Sequence, residues 1–381
     1  MIAHGKHINF QKTNESMIHK GFAVMALSLI VASSALNVKA QKNTSVPSCP
    51  DPGITNLSST STKASVDKSN YAKAETTDIL KDYVKKISKG TCTTGMGVFM
   101  HQRSAMDPAD RTILRPNFDT LYSFVVLDLK NPATINLPKI TRYQILEIVT
   151  GEHWIPLVSD KPGTYQITQD LTGSRYAFAM VRTQVNMQDE SDLKNAREAQ
   201  DKLELVQASQ GVYEQDKEFN RSEILSLRAE YNQRRQPEGI TSEMIFGKEG
   251  EISPEMRNFG VAIGWGGLPK QGAIYPMPKL TESTEPQKLI MKNVPMEQGS
   301  FWSVTVYNKN GFSTGKSYNI NSAFAKESNP GEYIINLGGS ENEDNFLNIF
   351  PGWNAVIRIY SPTKDYFNGS WEVPQYEPKN Q

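Results

Sequence analysis

His101-Gln-Arg-Ser-Ala-Met-Asp-Pro-Ala-Asp-Arg111-Thr-Ile-Leu-Arg115-Pro-Asn117-Phe-Asp119-Thr-Leu-Tyr122-Ser123 runs straight into Phe124-Val-Val-Leu127. The polar half holds a histidine, three arginines, three aspartates, an asparagine and a tyrosine. The apolar half opens a run, Ser123–Leu129, that reads as a buried strand. Polar groups set beside a core need partners, so the junction marks a candidate ligand site as well as the start of a sheet.

Downstream of Ser123 the period stays at two. Ala133–Leu137, Tyr143–Val149, Thr164–Thr168 and Arg175–Thr183 are short apolar runs bounded by Pro, Gly, Asn or Asp. Strands this close together, joined by short turns, predict an antiparallel sandwich or barrel. Upstream, Ile79, Leu80, Tyr83, Val84 and Ile87 fall at helical spacing, which predicts an amphipathic helix over Tyr71–Ile87. From Gln41 to about Ser69 the chain is rich in Ser, Thr, Pro and Lys and reads as a flexible tail.

From Asn186 the composition turns to Ala, Leu, Glu and Lys with little β-branching. Helices are predicted near Ser191–Gln207 and Arg221–Arg234, the second with Asn220 and Glu223 as a cap pair. A third is expected over Ser253–Ile263, ending at Gly264-Trp265-Gly266-Gly267. Strand patterning returns at Lys288–Val294, Phe301–Asn308, Glu332–Leu337 and Ala355–Ser361, with a turn at Lys309-Asn310-Gly311. The expected fold is mainly β with a helical insert. Its parts are a leader over 1–40, a tail over 41–69, a β domain over 70–185, the insert over 186–263 and a second β domain over 264–381.

The leader rests on Gly21-Phe-Ala-Val-Met-Ala-Leu-Ser-Leu-Ile-Val-Ala, preceded by His19 and Lys20 and closed by Val38-Lys39-Ala40. A basic flank, a short apolar run and a small-x-small site are the marks of a secretory signal peptide. Met17 is an alternative start that would give a leader of more usual length. The run is too short and too rich in Ala and Ser to favour a membrane anchor. The expected location is periplasmic or secreted, with no membrane association after cleavage. Cleavage removes Lys6, Lys12, Lys20, Lys39 and Glu15, turning a balance of 41 basic to 41 acidic side chains slightly acidic. That balance argues against a nucleic-acid partner. Cys49 and Cys92 both survive cleavage and read as a disulfide in an oxidising compartment.

Three of the five histidines lie in the leader, leaving His101 and His153. Histidine-rich metal sites are thereby excluded, and neither metal nor cofactor is expected. His101, His153 and Glu152 are candidate acid–base groups if the fold unites them with Arg115 and Asp119. Each histidine is equally readable as a hydrogen-bonded residue at a strand end. Arg115 offers a planar fork of donors to an anion or carbonyl, whereas Asn117 and Asp119 have the alternative of capping a tight turn. Along Phe301–Asn308, Trp302, Val304 and Val306 face one side and Ser303, Thr305 and Tyr307 the other. Arg358 is isolated between Val356 and Tyr360 in the same way, on a wet face or pointing into a cavity. Gly311-Phe-Ser313-Thr-Gly315 fits a nucleophile-elbow expression, but that motif requires a helix directly after it, and Lys316-Ser-Tyr-Asn-Ile-Asn321 has poor helical propensity.

Taken together, Tyr71-Ala-Lys-Ala-Glu75-Thr76, Arg115-Pro-Asn-Phe-Asp-Thr-Leu-Tyr-Ser123, Glu152-His153, Arg175-Tyr-Ala-Phe-Ala-Met-Val-Arg182-Thr183 and Gly264-Trp-Gly-Gly267 resemble bacterial proteins that pair domain-of-unknown-function families 1254 and 1214. Phe301-Trp-Ser-Val-Thr-Val-Tyr-Asn308, Ser317-Tyr-Asn-Ile-Asn321, Pro351-Gly-Trp-Asn354 and Asn368-Gly-Ser-Trp371 extend the resemblance over roughly residues 70–375. Phe118 departs from it, standing where the family usually has Arg. The resemblance implies export and a pair of β-rich, jelly-roll-like sandwich domains, and no established reaction.

Three readings of function remain open. The first is an exported soluble protein binding a small polar or anionic molecule, with Arg115, Asn117, Asp119, Tyr122, Trp265, Tyr307 and Arg358 as ligand-binding candidates. The second is a cell-envelope hydrolase or lyase, and the third a structural or assembly factor of the envelope. Oligomeric state is not readable from the sequence.

Overall fold

In a computed structural model the described residues are 48–57, 62–108, 115–281 and 283–379. The predicted leader and residues 109–114 of the polar segment lie outside them. The chain is mainly β, with 29% strand and 21% helix.

The N-terminal strands form a five-stranded antiparallel sheet in the order Met100–His101, Thr120–Asp128, Tyr176–Gln184, Gln144–Thr150, Leu157–Ser159. A three-stranded sheet of Gly163–Ile167, Ala133–Leu137 and Glu204–Gln207 packs on one face. Val125, Leu127, Leu146, Ile148, Ala179 and Val181 meet Ala133, Ile135, Leu137 and Ile167 there. The other face, carrying Phe124, Val126, Val149, Phe178 and Met180, is covered by helices Tyr71–Thr91, Arg221–Arg234 and Pro254–Gly264. Burial on both faces explains why these strands read as near-continuous apolar runs rather than strict alternations.

The C-terminal strands form two four-stranded sheets. Ala273–Ile274, Asn354–Tyr360, Trp302–Tyr307 and Asn319–Asn321 make one, and Phe346–Leu347, Glu332–Leu337, Gln287–Lys292 and Tyr376–Pro378 the other. Trp302, Val304, Val306, Ile357 and Ile359 fill the space between them with Leu289, Met291, Ile335 and Leu337. The period-two reading of Phe301–Asn308 thus sends its apolar side to this core. The opposite face of the Trp302–Tyr307 sheet turns toward the N-terminal unit. Two small apolar clusters, one around Phe118, Leu121 and Val356 and one around Tyr143, Phe301 and Tyr360, close that seam.

Several expectations change in detail. The helix predicted to Gln207 stops at Gln200, and Glu204–Gln207 becomes an edge strand paired with Ala133–Leu137. Asn220 caps Arg221–Arg234 through the Ser222 N–H, but Glu223 completes no cap box; it accepts from the Val66 N–H at 2.6 Å. Within the stretch read as a tail, Ile54–Asn56 pairs in parallel with Tyr213–Gln215. Cys49 and Cys92 are bonded, with Cα atoms 4.9 Å apart, which ties this arm to the end of helix Tyr71–Thr91. No helix among the described residues is long and apolar enough to cross a membrane.

Candidate functional site

The polar segment enters the seam through a tight turn. Arg115 takes a left-handed φ of 50° and its N–H donates to the Gly311 carbonyl at 2.8 Å, which anchors the turn to the C-terminal unit. Asn117 Oδ1 accepts from the Asp119 N–H at 2.8 Å, a side-chain turn of the kind Asn favours. The Asn117 amide nitrogen reaches Thr120 Oγ1 at 3.1 Å, the Tyr122 hydroxyl at 3.2 Å and the Tyr360 hydroxyl at 3.1 Å.

Asp119 is fully buried and its carboxylate receives donors from the opposite unit. Ser303 Oγ donates at 2.6 Å, the Asn319 amide at 2.8 Å and the Tyr360 hydroxyl at 3.2 Å. Arg358 is the matching cation on that wall. Its guanidinium donates to Thr305 Oγ1 at 2.9 Å, the Tyr307 hydroxyl at 2.7 Å and the Arg115 carbonyl at 3.3 Å. The Tyr307 hydroxyl passes a hydrogen bond on to the Pro116 carbonyl at 2.7 Å. Burial alone would weaken the arginine's hold on its proton, but Tyr307, Asp119 and Tyr360 outweigh it and Arg358 stays charged. Its contacts are hydroxyls and carbonyls; among the described residues it forms no direct ion pair.

A second buried pair adjoins the first. Glu147 and Arg182 lie on neighbouring strands, 2.7 Å apart at Oε2 and Nη1, and Arg182 also donates to the Gly266 carbonyl at 2.6 Å. Its guanidinium sits 5.6 Å over the Tyr122 ring. Burial pushes the Glu147 carboxyl up, with Arg182 opposing, and Glu147 Oε1 has no partner among the described residues. Burial pushes the Tyr275 hydroxyl up, with the charges of Arg182 and Arg358 opposing.

His101 lies apart from this network, and His153 meets it through Gly266 alone. His153, at a left-handed φ of 61°, accepts the Gly266 N–H on Nε2 at 3.0 Å. Burial and Arg257 push its pKa down to about 3. Gly266 is therefore gripped through its N–H by His153 and through its carbonyl by Arg182; its φ of 70° suits glycine. Trp265 is held by Thr76 Oγ1 at 3.1 Å and packs against His153 and Phe178. Glu152 faces outward and pairs with Lys73 at 3.0 Å. His101 Nδ1 meets the buried Ser123 Oγ at 2.8 Å, and burial with Arg103 brings its pKa down to about 4. Ser313 is buried and donates to the Val306 carbonyl at 2.7 Å, a turn contact rather than a nucleophile's setting.

The structure thus gathers Arg115, Asn117, Asp119, Tyr122, Tyr307 and Arg358 at one seam, and leaves His101, Glu152, His153 and Trp265 elsewhere. Glu147, Arg182, Tyr275, Asn319 and Tyr360 join the seam without having been singled out, and Ser303 joins it from the strand face it shares with Tyr307. For Glu147 and Arg182 a signal existed: each is a lone charge inside an otherwise apolar strand, Ile145-Leu-Glu-Ile-Val149 and Ala179-Met-Val-Arg182. Among the described residues no group of three or more His, Cys, Asp or Glu is placed to hold a metal.

Residues 96–207 match the model of a protein of unknown function, DUF1254, and residues 280–364 that of a second protein of unknown function, DUF1214. The chain pairs DUF1254 with DUF1214. Asp119, Tyr122, Glu147 and Arg182 belong to the DUF1254 segment, and Ser303, Tyr307, Arg358 and Tyr360 to the DUF1214 segment. The seam network is what joins the two. No curated protein matches the sequence. Among solved structures, the chain is similar to the VPA0106 protein from Vibrio parahaemolyticus at 17% identity and a TM-score of 0.56, over 82% of this chain and 99% of that one. This likeness shows a shared fold. It is also similar to an uncharacterized protein from Burkholderia cenocepacia, at 11% identity and a TM-score of 0.43, over 81% and 88% of the two chains.

Proposed function

We propose that this protein binds a small anionic molecule at the seam between its DUF1254 and DUF1214 segments. The observation that supports this reading is the seam's charge. Three arginines, 115, 182 and 358, face two carboxylates, Asp119 and Glu147, and Arg358 is compensated through hydroxyls instead of an ion pair. Arg115 is exposed; among the described residues its guanidinium meets the Met277 sulfur at 3.8 Å, and the like charges of Arg235 and Arg358 act on it. Asn117, Tyr122 and Tyr275 keep part of their surface accessible beside it. Side chains so placed offer a planar fork and hydroxyl donors to an incoming carboxylate or phosphate.

Neither histidine enters this proposal as a base. The lone pair of His153 Nε2 is taken by the Gly266 N–H, and both rings are held neutral far into acid. The reading includes export and life as a soluble protein. Its supports are the leader-like segment ending at Ala40 and the bonded Cys49–Cys92 pair, since disulfides persist in oxidising compartments.

The test is thermal denaturation of residues 41–381 against phosphate, sulfate, succinate and citrate at constant ionic strength, for the unaltered chain and Arg115→Ala. One charge-assisted contact contributes about 1.5–3 kcal/mol, so Arg115→Ala is expected to weaken binding roughly tenfold to a hundredfold. Stabilisation by these anions that is identical in the variant would refute the site. Absence of stabilisation by every anion would refute the ligand class.

A further inference from the structure

We propose that a second, internal site, between Arg257 and His153, holds a small monovalent anion, chloride in the simplest case. It is independent of the seam and rests on two orphaned donors. His153 accepts the Gly266 N–H on Nε2, which leaves its ring proton on Nδ1. That Nδ1 has no partner among the described residues, and neither has the Arg257 Nε–H. His153 is 2% exposed and Arg257 7%. A buried N–H left without an acceptor costs about 1–3 kcal/mol, so two in one neighbourhood call for an accepting group.

The two donors belong to one neighbourhood. The Arg257 guanidinium lies 4.4 Å over the Trp154 ring, next in sequence to His153, and its Nη1 is 3.9 Å from Glu152 Oε2, the residue before. Arg257 is also the charge whose field reaches the His153 ring.

The charge balance favours an anion over water. Arginine does not give up its proton inside a protein, so burial leaves a cation in want of a counter-charge. The nearest carboxylate, Glu152, stands at 3.9 Å and is committed to Lys73 at 3.0 Å. Two cations therefore share one acid, while Glu249 reaches Arg257 only at longer range. The walls set the size. Trp154 lies under the Arg257 guanidinium, and the Phe246 and Trp265 rings flank His153 at 6.3 Å and 5.6 Å. Two N–H donors among aromatic rings suit a single weakly hydrated ion. A phosphate would bring more lone pairs than these donors satisfy.

The experiment is a crystal of residues 41–381 soaked in bromide, read by anomalous scattering, with melting temperatures in sodium chloride and sodium gluconate at equal ionic strength. The expected result is a bromide peak within hydrogen-bond distance of Arg257 Nε and His153 Nδ1. Each tenfold rise in chloride above half-saturation should raise the melting temperature by about 2 °C, an effect lost in Arg257→Leu. Should that variant fail to fold, the bromide density in the unaltered chain decides. A water in place of bromide overturns the proposal, and so does a chloride effect no larger than that of gluconate. A peak without a chloride-specific shift marks an adventitious ion only and overturns it equally.

Discussion

Replacing Asp119 by alanine should loosen the seam more than any other single truncation there. Its carboxylate is fully buried and accepts from Ser303, Asn319 and Tyr360. Asn319 keeps a second acceptor in Thr305 Oγ1 at 2.8 Å, so its loss is partial. The Ser303 and Tyr360 hydroxyls have no such reserve and become buried donors without acceptors. Hydrogen bonds to a charged group contribute about 1.5–3 kcal/mol each. Two full losses and one partial loss therefore put Asp119→Ala at about 3–6 kcal/mol, allowing for non-additivity within one network. Set against a total stability of about 5–15 kcal/mol, that is enough to be read without ambiguity. Asp119→Asn keeps the volume and one acceptor and should cost less, about 1–3 kcal/mol. The assay is urea denaturation followed by tryptophan fluorescence and by far-ultraviolet circular dichroism. The two probes should separate in the alanine variant as the β units uncouple. A cost below about 1 kcal/mol with coincident transitions would refute the assignment of Asp119 as the seam's buried acceptor.

Three further outcomes are expected. His153 has a folded pKa of about 3 against an ordinary 6.5, so its contribution is complete above pH 6.5 and is lost as pH falls toward 3. Stability should drop by up to about 1.4 kcal/mol per pH unit below that value, less steeply in His153→Gln; equal slopes in urea titrations at pH 7.5, 6 and 5 would count against it. Gly260→Ala would set a Cβ 2.3 Å from the Ile245 carbonyl oxygen, forcing helix Pro254–Gly264 off the preceding turn. A loss of about 1–3 kcal/mol is expected, and a melting temperature at or above the parent's would contradict it. Reducing the Cys49–Cys92 bond frees a 43-residue loop, which chain entropy values at up to about 4 kcal/mol. Cys92→Ala should melt lower, whereas an unchanged melting temperature would mean the arm is held by strand pairing alone.

The elements that were legible in the sequence are those whose stability is written in their own residues. Ala133–Leu137, Glu332–Leu337 and Arg221–Arg234 have the bounds that periodicity and capping predict. The misread ones depend on distant partners. Glu204–Gln207 carries helix-forming residues, yet it pairs with Ala133–Leu137, some seventy residues upstream in the chain. Ile54–Asn56 is three residues in a polar stretch and exists as a strand because Tyr213–Gln215 runs beside it. At the candidate site the turn role of Asn117 was one of two readings of its side-chain type, and alternation put Ser303, Thr305 and Tyr307 on one face without deciding whether it was wet or lined a pocket. That Asp119 would find Ser303 and Asn319, and Arg358 would find Tyr307 and the Arg115 carbonyl, was not legible.

The order of residues alone settles the class of the fold, because burial on one or two faces leaves a period of two or of 3.6 in the apolar positions. Which polar residues meet is a property of the folded chain. Folding sets His153 aside as a buried neutral ring and His101 as a half-buried one, and uses Asp119 and Arg358 to join the two segments. The physical reason is that the free energy of a buried charge depends on what surrounds it in space. No local pattern records neighbours that lie two hundred residues away.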